Sequence, residues 1–70
     1  MRKQINIEGI SCGHCVKHVT DALHQIGMSK VQVNLEGKYA IADALNEIED
    51  AKIKKAIEEA GYDVIGIKEI

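Results

Sequence analysis

The two halves of this chain repeat one another at an offset of 34 residues, without a gap. Ile5 and Ile7 fall on Tyr39 and Ile41. Val19, Ala22, Leu23, Ile26 and Gly27 fall on Ile53, Ala56, Ile57, Ala60 and Gly61, and Val31 and Val33 fall on Ile65 and Ile67. Apolar matches could follow simply from two halves that share strand and helix periods. Two glycines at equivalent helix ends argue for a duplication instead. Within the first half, Ile5 and Ile7 alternate with Asn6 and Glu8, the pattern of a half-buried strand. From about Cys15 the period changes: Val16, Val19, Leu23 and Ile26 form the stripe of an amphipathic helix, with Gly27 placed as its C-terminal cap. Val31, Val33 and Leu35 alternate again as a second strand. Glu36-Gly37-Lys38 supplies a hairpin turn, with Gly37 available for a positive φ. Tyr39 and Ile41 open a third strand, a second helix is predicted from about Asp50 to Ala60, and Tyr62 to Ile67 forms the last strand. The order is βαββαβ. Two interleaved βαβ units predict an α+β, ferredoxin-like sandwich: a four-stranded antiparallel sheet with both helices on one face.

Seventy residues make a single domain, spanning 1–70, with a modest core. At 46% hydrophobic residues the composition is that of a globular chain. Phe and Trp are absent, so Ile, Val, Leu and Ala must fill the core. Nine basic residues stand against 11 acidic ones, with no basic face for phosphate contacts, which argues against nucleic acid as the partner. No apolar run is long enough to enter and span a bilayer. The start, MRKQINIEG, lacks the apolar stretch of a signal peptide, so a cytoplasmic protein is expected.

The repeat also localises the chemistry. The positions equivalent to Cys12, His14 and Cys15 are Asn46, Ile48 and Glu49, so the framework is duplicated and the thiols are not. Cys12 is expected in the loop after the first strand and Cys15 at the start of the first helix. There the unpaired N–H groups and the helix dipole favour thiolate over thiol, and Lys17 adds positive charge. The glycines at 9 and 13 let the loop bend so that both sulfurs face one point. Thiolates are soft donors and select Cu(I) over Mg²⁺ or Ca²⁺. A closed structural Zn(II) site needs a second cysteine pair that this chain does not have. Cu(I) and Hg(II) accept two sulfurs, and an open two-thiol site admits a third thiolate from another protein or could bridge two chains as a metal-linked homodimer. C-x-x-C is also the spacing of a thiol–disulfide oxidoreductase. That alternative enzyme is disfavoured by short length and by the absence of proline, since such sites use a cis-proline. A structural disulfide across two intervening residues would remove little chain entropy. His14, between the cysteines, is either a further ligand or a solvated loop residue. His18 and His24 fall on the polar side of the first helix.

GISCGHC after a first strand, with IEEAGYDV near the C-terminus, resembles the heavy-metal-associated domain over essentially the whole chain. That family includes bacterial copper chaperones of the CopZ type and N-terminal domains of copper-exporting P-type ATPases. The resemblance implies a metal carrier and not an enzyme. It implies Cu(I) bound by Cys12 and Cys15 and handed to a copper-transporting P-type ATPase domain or a copper-responsive regulator. Zinc- and mercury-binding relatives share the cysteines. The family's motif usually has Met where Ile10 stands, a side chain that packs inward beneath the loop. The resemblance places Tyr62 beside the cysteine loop, where its ring would shield the site and its hydroxyl could reach a thiolate. It makes His14 a neighbour that modulates the site.

Overall fold

The alternation in RKQINIE is realised as β1 (Arg2–Glu8), which turns Ile5 and Ile7 into the core and leaves Gln4 and Asn6 partly accessible. The computed structural model describes residues 2–11, 13–44 and 48–70. Along them follow α1 (Gly13–Gln25), β2 (Met28–Asn34), β3 (Tyr39–Ala44), α2 (Asp50–Glu59) and β4 (Asp63–Glu69). The strands form one antiparallel sheet in the order β2-β3-β1-β4. Helix α1 lies against β2 and α2 against β4, and the helices touch each other, so one face of the sheet is covered. This is the ferredoxin-like arrangement that the repeat predicts. Val19 and Leu23 from α1, Ile53 and Ile57 from α2, and Ile5 and Ile7 from β1 are fully buried between the layers. Each such side chain contributes about 1.5–3 kcal/mol of transfer free energy.

Both helices stop where the glycines predict. Gly27 and Gly61 have φ of 95° and 101°, a backbone region that costs other residues a steric clash. After α2 the closing pattern is complete. Gly61 N–H donates to Glu58 O at 3.0 Å and Tyr62 N–H to Ile57 O at 3.2 Å, which satisfies carbonyls the helix would leave open.

Four details differ from the sequence expectation. First, the core face of β3 is made by Ala40, Ala42 and Ala44, all buried, whereas Tyr39 and Ile41 sit half-buried on the opposite phase with Asp43. Ile5 and Ile7 are buried but the residues 34 positions on are not, so β1 and β3 are out of phase by one residue within a repeat that holds at the helix ends. Because strand side chains alternate with a period of two, that single residue exchanges the faces.

Second, β2 begins at Met28, which is buried, and a one-residue bulge lies between Ser29 and Gln32, where Lys30 has φ of 53°. The bulge lets Met28 and Val31, three apart, both face the core. A second bulge in β4, opposite Asn6 and Ile7, leaves Ile65 outside: it is 67% exposed, although the repeat equates it with Val31. Leu35 likewise lies beyond β2, in the turn, and is exposed.

Third, the positive φ in the hairpin turn belongs to Lys38 (56°) and not to Gly37. Gly37 is needed for space: a Cβ there would overlap the Tyr39 ring, 2.7 Å from Cδ2. The turn is closed by Gly37 N–H donating to Asn34 Oδ1 at 2.7 Å, while Asn34 Nδ2 donates to Tyr39 Oη at 3.2 Å. Fourth, Tyr62 precedes β4, which starts at Asp63.

Among the described residues one charged side chain enters the interior. Lys3, on the core side of β1, is 8% exposed and donates from Nζ to Ile48 O at 3.1 Å and to Asp50 Oδ1 at 2.7 Å, pinning the approach to α2. Among the described residues no buried side-chain polar atom lacks a partner.

Candidate metal centre

The loop that carries the cysteines leaves the end of β1 at Gly9, whose φ of 98° turns the chain back over the layer between sheet and helices. Ile10 then drops into the core and is 2% exposed, alongside Ile7 and Ile48. The apolar residue at this position is thus packed inward where the loop begins. Cys12 lies outside the described residues, as does Asn46, its counterpart in the second half.

Helix α1 starts at Gly13, two residues earlier than the apolar stripe suggests, because Gly13 and His14 carry no apolar side chain to mark the first turn. Gly13 is therefore a helical residue, and the bend falls to Gly9. Cys15 is the third residue of the helix and belongs to the core cluster with 9% exposure. The first turn holds no acidic residue, so nothing there opposes negative charge where the unpaired N–H groups converge. His14, the second helical residue, is exposed.

Tyr62 approaches from the other half of the molecule. Positioned by the closing turn after α2, it is half-buried against the core cluster. A Cβ placed on Gly9 would stand 3.8 Å from Tyr62 Cδ1, so the ring lies against the root of the cysteine loop. Its hydroxyl meets His18: Tyr62 Oη and His18 Nδ1 are 3.2 Å apart, with ring centroids at 6.5 Å and planes tilted by 40°. The structure thus brings Ile10, Cys15 and Tyr62 to one end of the sandwich and leaves His14 on the surface. The sequence places His18 on the polar side of the helix as a solvated residue, and the structure gives it Tyr62 as a partner. The available signal was its place three residues after Cys15, which puts both on one side of a helix. Among the described residues no three His, Cys, Asp or Glu side chains gather as a metal-binding group, and no helix is long and apolar enough to cross a membrane.

Residues 4–63 match the sequence model of the heavy-metal-associated domain. The chain belongs to that family. The copper chaperone CopZ of Staphylococcus aureus (strain MRSA252) is 41% identical over 63 residues, a match covering 87% of this chain and 93% of the relative. Among solved structures, a CopZ metallochaperone superposes with a TM-score of 0.85 at 36% identity, over 93% of this chain and 100% of that one. A copper-binding domain from HMA7, a P-type ATPase, superposes with a TM-score of 0.80 at 30% identity, over 99% of this chain and 100% of that domain. The fold of this chain is therefore shared by a metallochaperone and by a copper-binding domain of a P-type ATPase.

Proposed function

We propose that this protein is a cytoplasmic copper chaperone that carries Cu(I) between the thiolates of Cys12 and Cys15. It delivers the ion to a metal-binding domain of the same fold on a copper-transporting P-type ATPase, or to a copper-responsive regulator. The observation that carries this reading is Cys15, held in the first turn of α1 above the buried Ile10, in a chain 41% identical to a copper chaperone. Two sulfurs suit a soft monovalent ion and leave room for a third donor.

Transfer is then ligand exchange. An incoming partner thiol gives up its proton and its sulfur bonds to the ion; one Cu–S bond to this chain breaks and the released thiolate takes up a proton. A second such exchange frees the ion from this chain. Copper stays monovalent throughout, so no electron donor is needed. The burial of Cys15 fixes one sulfur while the fold changes little between steps. Ile10 and Tyr62 contribute by support and cover, and His14 acts from the surface without ligating.

Native mass spectrometry with Cu(I), Zn(II) and Hg(II) under a competing chelator tests the assignment. The expected result is one Cu(I) per chain, retained in preference to Zn(II) and lost in both Cys12→Ser and Cys15→Ser. Retention of copper by either serine variant, or preferential retention of Zn(II), overturns it.

A further inference from the structure

We infer that His18 is a positioning residue for metal exchange, acting through Tyr62: it anchors the tyrosine hydroxyl and so keeps the ring over the root of the cysteine loop. This rests on the reading of the cysteine pair as a Cu(I) site. His18 lies one helical turn beyond Cys15, and its Nδ1 is 3.2 Å from Tyr62 Oη. Tyr62 in turn lies against Gly9, where the loop begins. The ring is therefore held from both halves of the duplicated fold. The closing turn of α2 sets its backbone through the Tyr62 N–H to Ile57 O bond, and α1 holds its far end through His18. The imidazole serves in either tautomer, because Nδ1 can accept the phenolic proton or donate to the phenolic oxygen.

Without His18 this hold on the hydroxyl is gone. The ring is then kept less firmly over the loop, and an incoming thiol meets less obstruction there. The contact is exposed, and an ordinary side-chain hydrogen bond corresponds to about fivefold in a rate or equilibrium constant.

The experiment measures the rate at which excess small-molecule thiol removes Cu(I) from the loaded full-length protein, together with the Tyr62 ring chemical shifts of the metal-free protein. His18→Ala should fold, since Ala is the better helix former at this exposed site. It should release copper about fivefold faster and shift the Tyr62 ring resonances. His18→Asn, which can return a hydrogen-bonding atom near the Nδ1 position, should restore most of the wild-type rate. In a Tyr62→Phe background, His18→Ala should add nothing, because the two residues act as one unit. Unchanged release and unchanged ring shifts in His18→Ala overturn the inference, as does an equal effect of His18→Ala with and without the Tyr62 hydroxyl. Failure of the wild-type protein to bind Cu(I) overturns the carrier assignment instead. The ring shifts then still report whether His18 holds Tyr62.

Discussion

Ile10 is buried just after the chain leaves β1, so it ties the start of the cysteine loop to the core. At 2% exposure its side chain is as deeply placed as those of the central strand, yet it stands between Gly9, with its positive φ, and a helix that begins at Gly13. The loop can therefore be no better ordered than that tie. Replacement by Met, the residue usual in the family, conserves volume, and such swaps cost less than about 1.5 kcal/mol. Ile10→Met should then lower the melting temperature by less than about 12 °C and leave Cu(I) affinity close to wild type. Ile10→Ala removes three buried carbons and should cost about 2–4 kcal/mol in urea denaturation. It should also weaken copper retention although both thiols remain. An Ile10→Ala protein of native stability would mean that the loop is not supported from below.

At the scale of elements, β3 separates what patterning can tell from what it cannot. The helices were legible because a stripe at spacings of three and four, closed by glycine, has few competing explanations; Gly27 and Gly61 stand where that reading put them. The core positions of Val19, Leu23, Ile53 and Ile57 followed from it. In YAIADA the larger apolar residues suggest Tyr39 and Ile41 as the inner face, yet Asp43 shares their phase and the three alanines are buried. The alanines are inside because β3 is central and pairs with β1, whose Ile5 and Ile7 already fill that layer. The bulges of β2 and β4 leave no mark on the spacing of apolar residues, so Met28 and Ile65 could not be oriented from sequence. The same limit applies at the site. The motif points to Cys15 at the helix start and to Tyr62 near Gly9, where the structure has them, but His18 acquires its partner only when the two halves are packed together. The face assignment makes opposite demands of adjacent positions. Ile41→Thr, on the half-exposed face, should cost under about 1 kcal/mol. Ala42→Leu must force extra volume into a filled layer and should cost about 1–3 kcal/mol. Chemical denaturation of the two variants distinguishes the phases, and the reverse order of stabilities would restore Tyr39 and Ile41 to the core.

For the whole molecule, the position of the site along the chain decides how far copper can stabilise the fold. A ligand that binds only the native state stabilises without limit as its concentration rises, by about 2.7 kcal/mol at a hundredfold excess over Kd. Cys12 and Cys15, however, are separated by only two intervening residues, so the unfolded chain still offers both sulfurs to a soft ion. What folding adds is the preorganisation of that pair: a helix start that fixes Cys15, a buried Ile10 and the ring of Tyr62. Stabilisation should then level off at the ratio of the two affinities. A tenfold ratio is about 1.4 kcal/mol, which in a domain of this size raises the melting temperature by about 6–11 °C. Thermal unfolding followed by circular dichroism at increasing free Cu(I), set with a chelator buffer, should show a rise that reaches a plateau, and no rise in Cys15→Ser. A melting temperature that kept climbing with the logarithm of free copper would mean that the unfolded chain has no hold on the ion. The affinity would then arise from the folded sandwich as a whole and not from two neighbouring thiols that the sandwich merely steadies.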